Sequence, residues 1–98
     1  MILYEVNLTV DASVTGEYME WLKPHVKEML GFPGFESADI FEREEDGSGN
    51  WTVLYRVSDR ESLERYFRED APRMRGDALK RFEGRFTATR RILKKVDA

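Results

Sequence analysis

The sequence predicts an α+β domain in which a four-stranded antiparallel sheet carries helices on one face. The first observation behind this is the segment Trp51–Phe67, where a strand pattern changes to a helix pattern. Within residues 51–57, the apolar residues Trp51, Val53, Tyr55 and Val57 alternate with Thr52, Leu54 and Arg56. This period of two is typical of a strand that buries one face. Ser58 and Glu61 then form an S-x-x-E capping box, and apolar residues follow at helical spacing. A helix therefore leaves this strand and folds back over it.

The second observation is that the first third of the chain repeats this change from strand to helix. Ile2–Val10 alternates as a strand, and residues 11–15 form a connection. Apolar side chains then recur as one helical stripe, namely Tyr18, Trp21, Leu22, His25, Val26, Met29 and Leu30. Pro24 lies inside this helix and predicts a kink or a restart. Gly31, Pro33 and Gly34 end it.

The remaining segments complete the third observation, the order of the elements. Residues 35–44 form a strand, with Phe35 and Phe41 on one face and Ala38 and Ile40 on the other. Residues 45–50 form a hairpin loop into the Trp51 strand. Later apolar residues predict a second helical piece that restarts near Pro72 and then a final strand, with Met74, Leu79, Phe82, Phe86, Ala88 and Ile92 as the markers.

This order is β-α-β-β-α-(α)-β, the split arrangement of the ferredoxin-like fold, in one domain covering residues 1–98. Right-handed crossovers favour the sheet order 4-1-3-2 with the helices on one face. The other face then carries a mixture of residues, including Glu5, Asn7, Thr52, Leu54 and Arg56. That face is large for so small a domain, and we expect water, a ligand or a second subunit to cover it.

Composition excludes several classes of function. The chain has no cysteine, which excludes disulfides, thiolate catalysis and cysteine-ligated zinc. With 36% charged residues and a net charge of −3, it offers no general attraction for nucleic acid or anionic lipid. We expect no membrane span and no secretory signal, and therefore a cytoplasmic protein.

Charge is distributed unevenly between the two halves. Residues 1–50 hold 3 basic and 11 acidic side chains, whereas residues 51–98 hold 13 basic and 8 acidic ones, so the halves carry −8 and +5. In the predicted sheet the acidic second strand and the basic last strand lie at opposite edges. A two-fold axis could bring each acidic edge near the partner's basic edge in a homodimer, and the alternative is a plain solvated surface. The edge residues are Glu36, Asp39 and Glu42 and, opposite them, Arg90, Arg91 and Lys94.

Polar residues on the open sheet face are the first candidate binding site. Neighbouring strands place Glu5, Asn7 and Arg56 on this face, where they could orient a polar or anionic small molecule. The alternative is a structural ion pair between Glu5 and Arg56, or a contact across a dimer.

His25 is the second candidate. It is the only histidine, which excludes sites that need two imidazoles, and no metal site is expected. Its position on the apolar helical stripe favours a packed structural role over a general base or a ligand contact. The basic residues of the last strand lack interleaved aromatic residues, so solvated charge is favoured over nucleic-acid contact.

Four stretches resemble a known family: LYEVNLTVD, WLKPHVKEM, VLYRVSDRESLERY and DAPRMRGDALKRFEGRFTATRRIL. They are similar to domain-of-unknown-function family 4286, within the dimeric α/β-barrel group of ferredoxin-like proteins. That resemblance implies a homodimer packed sheet against sheet around a cavity. The group includes cofactor-independent monooxygenases of antibiotic biosynthesis and haem-degrading monooxygenases. Where the haem-degrading proteins carry a haem-binding histidine, this chain offers Tyr66, Arg68 and Arg73, so we expect no cofactor.

Two functional hypotheses follow from different classes. The first is a homodimer that binds a small molecule or a protein partner without catalysis. The second is a cofactor-independent monooxygenase or isomerase, with haem binding or degradation as a further alternative that only the resemblance suggests. No residue set identifies catalytic groups or a substrate.

Overall fold

In a computed structural model that describes residues 1–98, four strands form one antiparallel sheet. The strands are β1 (Ile2–Val10), β2 (Phe35–Glu42), β3 (Asn50–Val57) and β4 (Phe86–Lys94), and the helices are α1 (Thr15–Met29), α2 (Arg60–Glu69) and α3 (Ala71–Phe82). The sheet order is β2-β3-β1-β4, which is the predicted 4-1-3-2 order read from the other edge. The ferredoxin-like prediction is confirmed.

The hydrophobic core lies on one side of the sheet, which we call the inner face. Alternate residues of β1 and β3 meet the helices there, among them Tyr4, Leu8, Val53 and Tyr55. The molecule measures 39 × 32 × 18 Å, so its thinnest dimension holds one sheet and one layer of helices. The opposite side of the sheet, the outer face, carries no helix.

Helix α1 follows a single 3-10 turn at Ala12–Val14, where the Asp11 carboxylate accepts a hydrogen bond from the Ser13 backbone N–H at 2.9 Å. The helix continues from Thr15 to Met29 through Pro24, so the predicted restart is wrong. Burial of one stripe of the helix, Tyr18, Leu22, Val26 and Met29, stabilises it against the sheet.

The N-terminus of α2 corrects the predicted capping box. Asp59, not Ser58, caps this helix, and its carboxylate accepts from the Ser62 N–H at 2.8 Å. The Ser58 N–H is already used, because it donates to the Gly34 carbonyl at 2.8 Å. Gly34 has φ +84°, and a Cβ there would lie 2.4 Å from the Ser62 Cβ. Only glycine allows this close approach between the turn before β2 and α2.

Strand β2 contains a bulge that sequence alternation did not reveal. Phe35 pairs with Val57 and Ser37 with Arg56, so two residues of β2 advance against one of β3. Phe35, Ala38 and Ile40 therefore share the inner face. The predicted grouping of Phe35 with Phe41 is wrong, since Phe41 lies on the outer face and is 49% exposed. The strand also ends at Glu42, two residues early, and a 3-10 turn follows at Glu44–Asp46.

None of the three helices has the length and apolar character required to cross a membrane.

Candidate functional site

A cavity of about 210 Å³ lies between the inner face of the sheet and helices α1 to α3, and we call it the inner cavity. Fifteen of its eighteen lining residues are hydrophobic, with Tyr4, Val6 and Tyr55 from the sheet and Tyr18, Tyr66 and Met74 from the helices among them. An apolar cavity of about 150 Å³ is large enough to bind benzene. The inner cavity therefore has room for a small organic molecule.

The three lining residues that are not hydrophobic are His25, Arg75 and Arg90. They come from α1, α3 and β4, so three elements of the fold bring nitrogen-containing side chains to one space. No aspartate or glutamate lines the inner cavity. The cavity lining thus carries two guanidinium charges and no acidic group.

Four tyrosines, Tyr4, Tyr18, Tyr55 and Tyr66, also line the inner cavity. Burial raises the pKa of Tyr18, Tyr55 and Tyr66 far above the ordinary value of a phenol. All three are consequently protonated at neutral pH and able to donate a hydrogen bond. The only tyrosine hydroxyl with a protein partner is that of Tyr4, which accepts from Arg75 at 3.3 Å.

Arg75 is half-buried in the first half of α3. Its Nη2 donates to Tyr4, and its guanidinium carbon lies 5.8 Å from the centre of the Phe67 ring, within reach of a cation–π contact. Its Nε has less than 1 Å² of exposed surface and no hydrogen-bond partner. No other buried side-chain nitrogen or oxygen in the protein lacks a partner.

His25 lies where the inner cavity meets a second, more polar space. Its ring stacks on Trp21, with the ring centres 4.4 Å apart and 29° between the planes. Burial lowers its pKa, while the charges of Glu28 and Asp77 oppose that shift. His25 is therefore a neutral imidazole at pH 7, which has both a donor and an acceptor nitrogen.

The second space is a groove of about 400 Å³ that also touches Trp21 and His25, and we call it the polar groove. Its other lining residues are Glu20, Pro24, Glu28, Asp77 and Arg81. Three of them are acidic, whereas the inner cavity has no acidic residue. The stacked rings of Trp21 and His25 thus separate a basic space from a largely acidic one. No three His, Asp or Glu side chains lie close enough together to hold a metal ion.

On the outer face, a chain of hydrogen bonds crosses the sheet from β4 through β1 and β3 to Arg43, the residue that follows β2. The Arg91 Nε donates to a Glu5 carboxylate oxygen at 2.6 Å, and the Asn7 amide donates to the same oxygen at 2.8 Å. The Thr52 hydroxyl then donates to the side-chain oxygen Oδ1 of Asn7 at 2.7 Å and accepts from Arg43 at 3.2 Å. We call these five residues the polar chain.

The structure brings together some of the predicted site residues and separates others. Glu5 and Asn7 are hydrogen-bonded neighbours, but Arg56 lies opposite Leu3, two residues along the sheet from Glu5. The predicted Glu5–Arg56 ion pair is wrong, because Glu5 faces Arg91 directly across the β1–β4 ladder and pairs with it. His25 lies on the other side of the sheet, at the inner cavity.

The predicted edge residues are at opposite edges of the sheet, as the strand order requires. Glu36, Asp39 and Glu42 are exposed on β2, and Arg90, Arg91 and Lys94 are exposed on β4. Arg91 already forms an ion pair with Glu5. Hydrogen bonding by Arg91 is the main reason why the pKa of Glu5 is lowered.

Sequence reasoning missed Arg75 and the role of the tyrosines. One signal was available for Arg75, because it lies on the same helical stripe as the buried Ala71, Ala78 and Phe82. A charged residue on an apolar stripe is unusual unless it has a partner. For the tyrosines no signal existed, since spacing alone does not distinguish a packed ring from one whose hydroxyl lines a cavity.

Comparison with protein families gives one match. A model described as "Domain of unknown function (DUF4286)" matches residues 1–96. The chain belongs to the DUF4286 family. No curated protein matches the sequence of this DUF4286 protein.

Solved structures similar to this DUF4286 protein share its fold at low sequence identity. A putative antibiotic biosynthesis monooxygenase from Deinococcus radiodurans aligns over 100% of this chain and 95% of its own, with a TM-score of 0.80 and 13% identity. A mutant of SnoaB, a cofactor-independent oxygenase from Streptomyces nogalater, covers 99% and 95%, with a TM-score of 0.75 and 14% identity. A conserved protein from Methanosarcina mazei Go1 covers 98% and 94%, with a TM-score of 0.75 and 20% identity. At these identities the likeness shows the fold alone.

Proposed function

We propose that this protein is a homodimer in which each subunit binds a small organic molecule in its inner cavity. The observation that carries the proposal is the cavity itself, which is mostly apolar and has three polar or charged residues in its lining. Ligand pockets usually have this composition, with hydrophobic walls and a small number of groups that fix orientation. Of the predicted ligand contacts, His25 is the one on this cavity.

The homodimer is supported by the uncovered outer face. Leu3, Phe41, Leu54 and Leu93 place apolar side chains there around the polar chain. The acidic β2 edge and the basic β4 edge would meet across a two-fold axis, and Arg56, which has no ion-pair partner in the subunit, would be available for that contact. Glu5 and Asn7 would contact the partner subunit through the polar chain. We propose a cytoplasmic location, and the negative net charge favours neither nucleic acid nor an anionic membrane as a partner.

A native mass spectrum of gently purified, untagged protein is the first test, because it reports subunit number and any bound molecule together. We expect a dimer with an added small mass. Sedimentation at low and high salt tests the charged edges, and the dimer should dissociate more readily at high salt. A monomer at all protein concentrations would contradict the homodimer.

Binding at the inner cavity is tested with 2-naphthamide, a neutral two-ring probe, by calorimetric titration. We expect binding to the wild type and its loss in Ala78→Phe, because Ala78 is buried on the cavity wall and a larger side chain there fills the space. Ala12→Phe, at an exposed position in the 3-10 turn, is the matched control and should bind the probe normally. Equal binding by both variants would place the probe elsewhere.

A second candidate function is cofactor-independent proton abstraction, as in an isomerase or an oxygenase of the antibiotic-biosynthesis monooxygenase type. The observation that favours it is His25, a neutral imidazole at the cavity wall that could act as a general base. The SnoaB mutant, whose parent is described as a cofactor-independent oxygenase, supports it by fold analogy only.

This second function is tested with 2-tetralone, a two-ring ketone whose C1–H is acidic. If His25 is a base, the wild type accelerates deuterium exchange at C1 in heavy water, and His25→Gln loses that acceleration while still binding 2-naphthamide. Lys80→Met, which changes an exposed position of α3, should exchange like the wild type. Identical rates for His25→Gln and wild type would exclude His25 as the base.

A further inference from the structure

The positive charge of Arg75 is partly removed from water, and no side chain of the protein forms an ion pair with it. A guanidinium stays charged in proteins, and a charge that is partly removed from water is costly unless an opposite charge or full hydrogen bonding compensates it. Tyr4 and Phe67 offer one neutral acceptor and one aromatic face. Neither reaches the buried Nε, which still has a proton and no acceptor.

Arg73, which lies two positions before Arg75 on the same helix, provides a comparison. Arg73 is exposed and forms ion pairs with Glu28 at 3.0 Å and Asp70 at 3.9 Å. Arg75, which is more buried and therefore needs an anion more, takes part in none of the six ion pairs of the protein. Since no carboxylate lines the inner cavity, no side chain on its wall can neutralise Arg75.

The other polar groups of the inner cavity add to the same preference. Arg90 brings a second guanidinium that also has no ion-pair partner, and the hydroxyls of Tyr18, Tyr55 and Tyr66 are protonated donors. Beyond the stacked rings, the polar groove is largely acidic. A ligand with a negative end would be repelled from the groove and attracted into the cavity, so the two spaces together define its orientation.

We infer that the ligand of the inner cavity carries an anionic group, a carboxylate or an oxygen anion of similar shape, which pairs with the guanidinium of Arg75 where this side chain lines the cavity. This inference rests on the proposed function, because it names the class of molecule that the inner cavity binds. Such a group forms a charge-assisted hydrogen bond with the guanidinium, and it can engage two N–H groups at once. The apolar walls contact the rest of the ligand, which is hydrophobic and aromatic in character.

The test compares two probes of the same shape. The probes are 2-naphthoate, which is an anion at neutral pH, and 2-naphthamide, its neutral counterpart, each titrated calorimetrically into the full-length wild type. We expect 2-naphthoate to bind at least about 10-fold more tightly, the ratio that corresponds to about 1.4 kcal/mol. This first comparison needs no variant and is unaffected by any loss of folding.

Variants then assign the preference to Arg75. In Arg75→Met the two probes should bind with similar affinity, and in Arg75→Lys part of the preference should remain, because the charge is kept without the planar fork. Lys80→Met removes one positive charge from an exposed position of the same helix and should keep the full preference. The 1H–15N resonance of the Arg75 Nε should shift on addition of 2-naphthoate more than on addition of 2-naphthamide.

The failures of the two proposals are distinguishable. If both probes bind the wild type equally, or if Arg75→Met keeps the preference while Arg90→Met loses it, the assignment to Arg75 is overturned and the cavity still binds ligands. If neither probe binds, the proposed binding function is overturned and the inference falls with it.

Discussion

The polar groups on the two faces of the sheet differ in their hydrogen bonding. On the outer face, Glu5, Asn7 and Thr52 are hydrogen-bonded to one another and to an arginine at each end, so every member of the polar chain has a partner in the same chain. On the inner face, the buried Nε of Arg75 and the hydroxyl of Tyr66 have none.

This difference indicates a separate role for each face. Buried polar groups in native proteins are nearly always hydrogen-bonded, and a fully connected set stabilises a unique structure. The polar chain fits that description and is best explained as part of the fold. An arginine that lines a cavity without an ion-pair partner is instead available to a ligand. The contrast can be tested by removing comparable groups from each face.

The largest expected effect is on the outer face. Glu5→Ala removes a carboxylate that is only 8% exposed and that accepts hydrogen bonds from Arg91 and Asn7. Hydrogen bonds to charged groups contribute about 1.5–3 kcal/mol each, but Arg91 is well exposed and its share is screened. We expect the free energy of unfolding in urea to fall by about 1–2 kcal/mol. Glu45→Ala, at an exposed residue without a partner, should change it by less than about 0.5 kcal/mol. Equal losses in both variants would mean that the polar chain does not stabilise the fold.

An intermediate effect on stability is expected from a change of pH. His25 on the inner face and Glu5 on the outer face titrate in different pH ranges, so their contributions can be measured separately. The pKa of His25 is lowered in the folded protein, so the unfolded chain binds a proton first as the pH falls below about 6.5. Stability due to the neutral imidazole is therefore complete above that pH and is lost below it, by at most about 1.4 kcal/mol per pH unit. The lowered pKa of Glu5 has the same sign but acts below its ordinary value of 4.5.

The measurement is the urea midpoint of the wild type and of His25→Gln between about pH 7.5 and 5.5. His25→Gln should show a smaller loss of stability across this window, whatever its stability at the upper end. If both proteins lose stability in parallel, His25 is not held neutral by burial and the inner face is wetter than the structure indicates.

The smallest effect is expected from hydroxyl removal on the inner face. Tyr66→Phe deletes a hydroxyl without a protein partner, so the free energy of unfolding should change by less than about 0.5 kcal/mol. Thr52→Val on the outer face deletes a hydroxyl that bonds both Asn7 and Arg43, and should cost about 1 kcal/mol. A larger cost for Tyr66→Phe than for Thr52→Val would reverse the comparison between the faces.

Much of the fold could be predicted from the sequence because its signals are local and repeated. The alternation in β1 and β3 and the apolar stripe of α1 each depend on one period, and right-handed crossovers then give the sheet order. The predictions of local structure were wrong where one residue determines the position of a helix end. Asp59 caps α2 in place of Ser58, whose backbone N–H instead donates to Gly34, a contact between segments far apart in sequence.

The site was harder to predict, since it depends on which strand lies beside which residue. Glu5 and Asn7 were placed on the correct face, but the offset that puts Arg91 rather than Arg56 opposite Glu5 follows from the pairing register. Arg75 was not predicted as a site residue, because the feature that distinguishes it is the lack of an ion-pair partner. A sequence shows which charges exist, while their pairing appears only in three dimensions.

The bulge in β2 has a consequence for how this strand tolerates changes in length. Glu36 is the extra residue, and Phe35 and Ala38 lie on the same face on either side of it. Deleting Glu36 would restore plain alternation and leave both side chains facing the helices. Deleting a residue between Ala38 and Phe41 would instead exchange the faces of every position beyond the cut. A family member one residue shorter before Ala38 can therefore keep the same core, with a straighter edge strand.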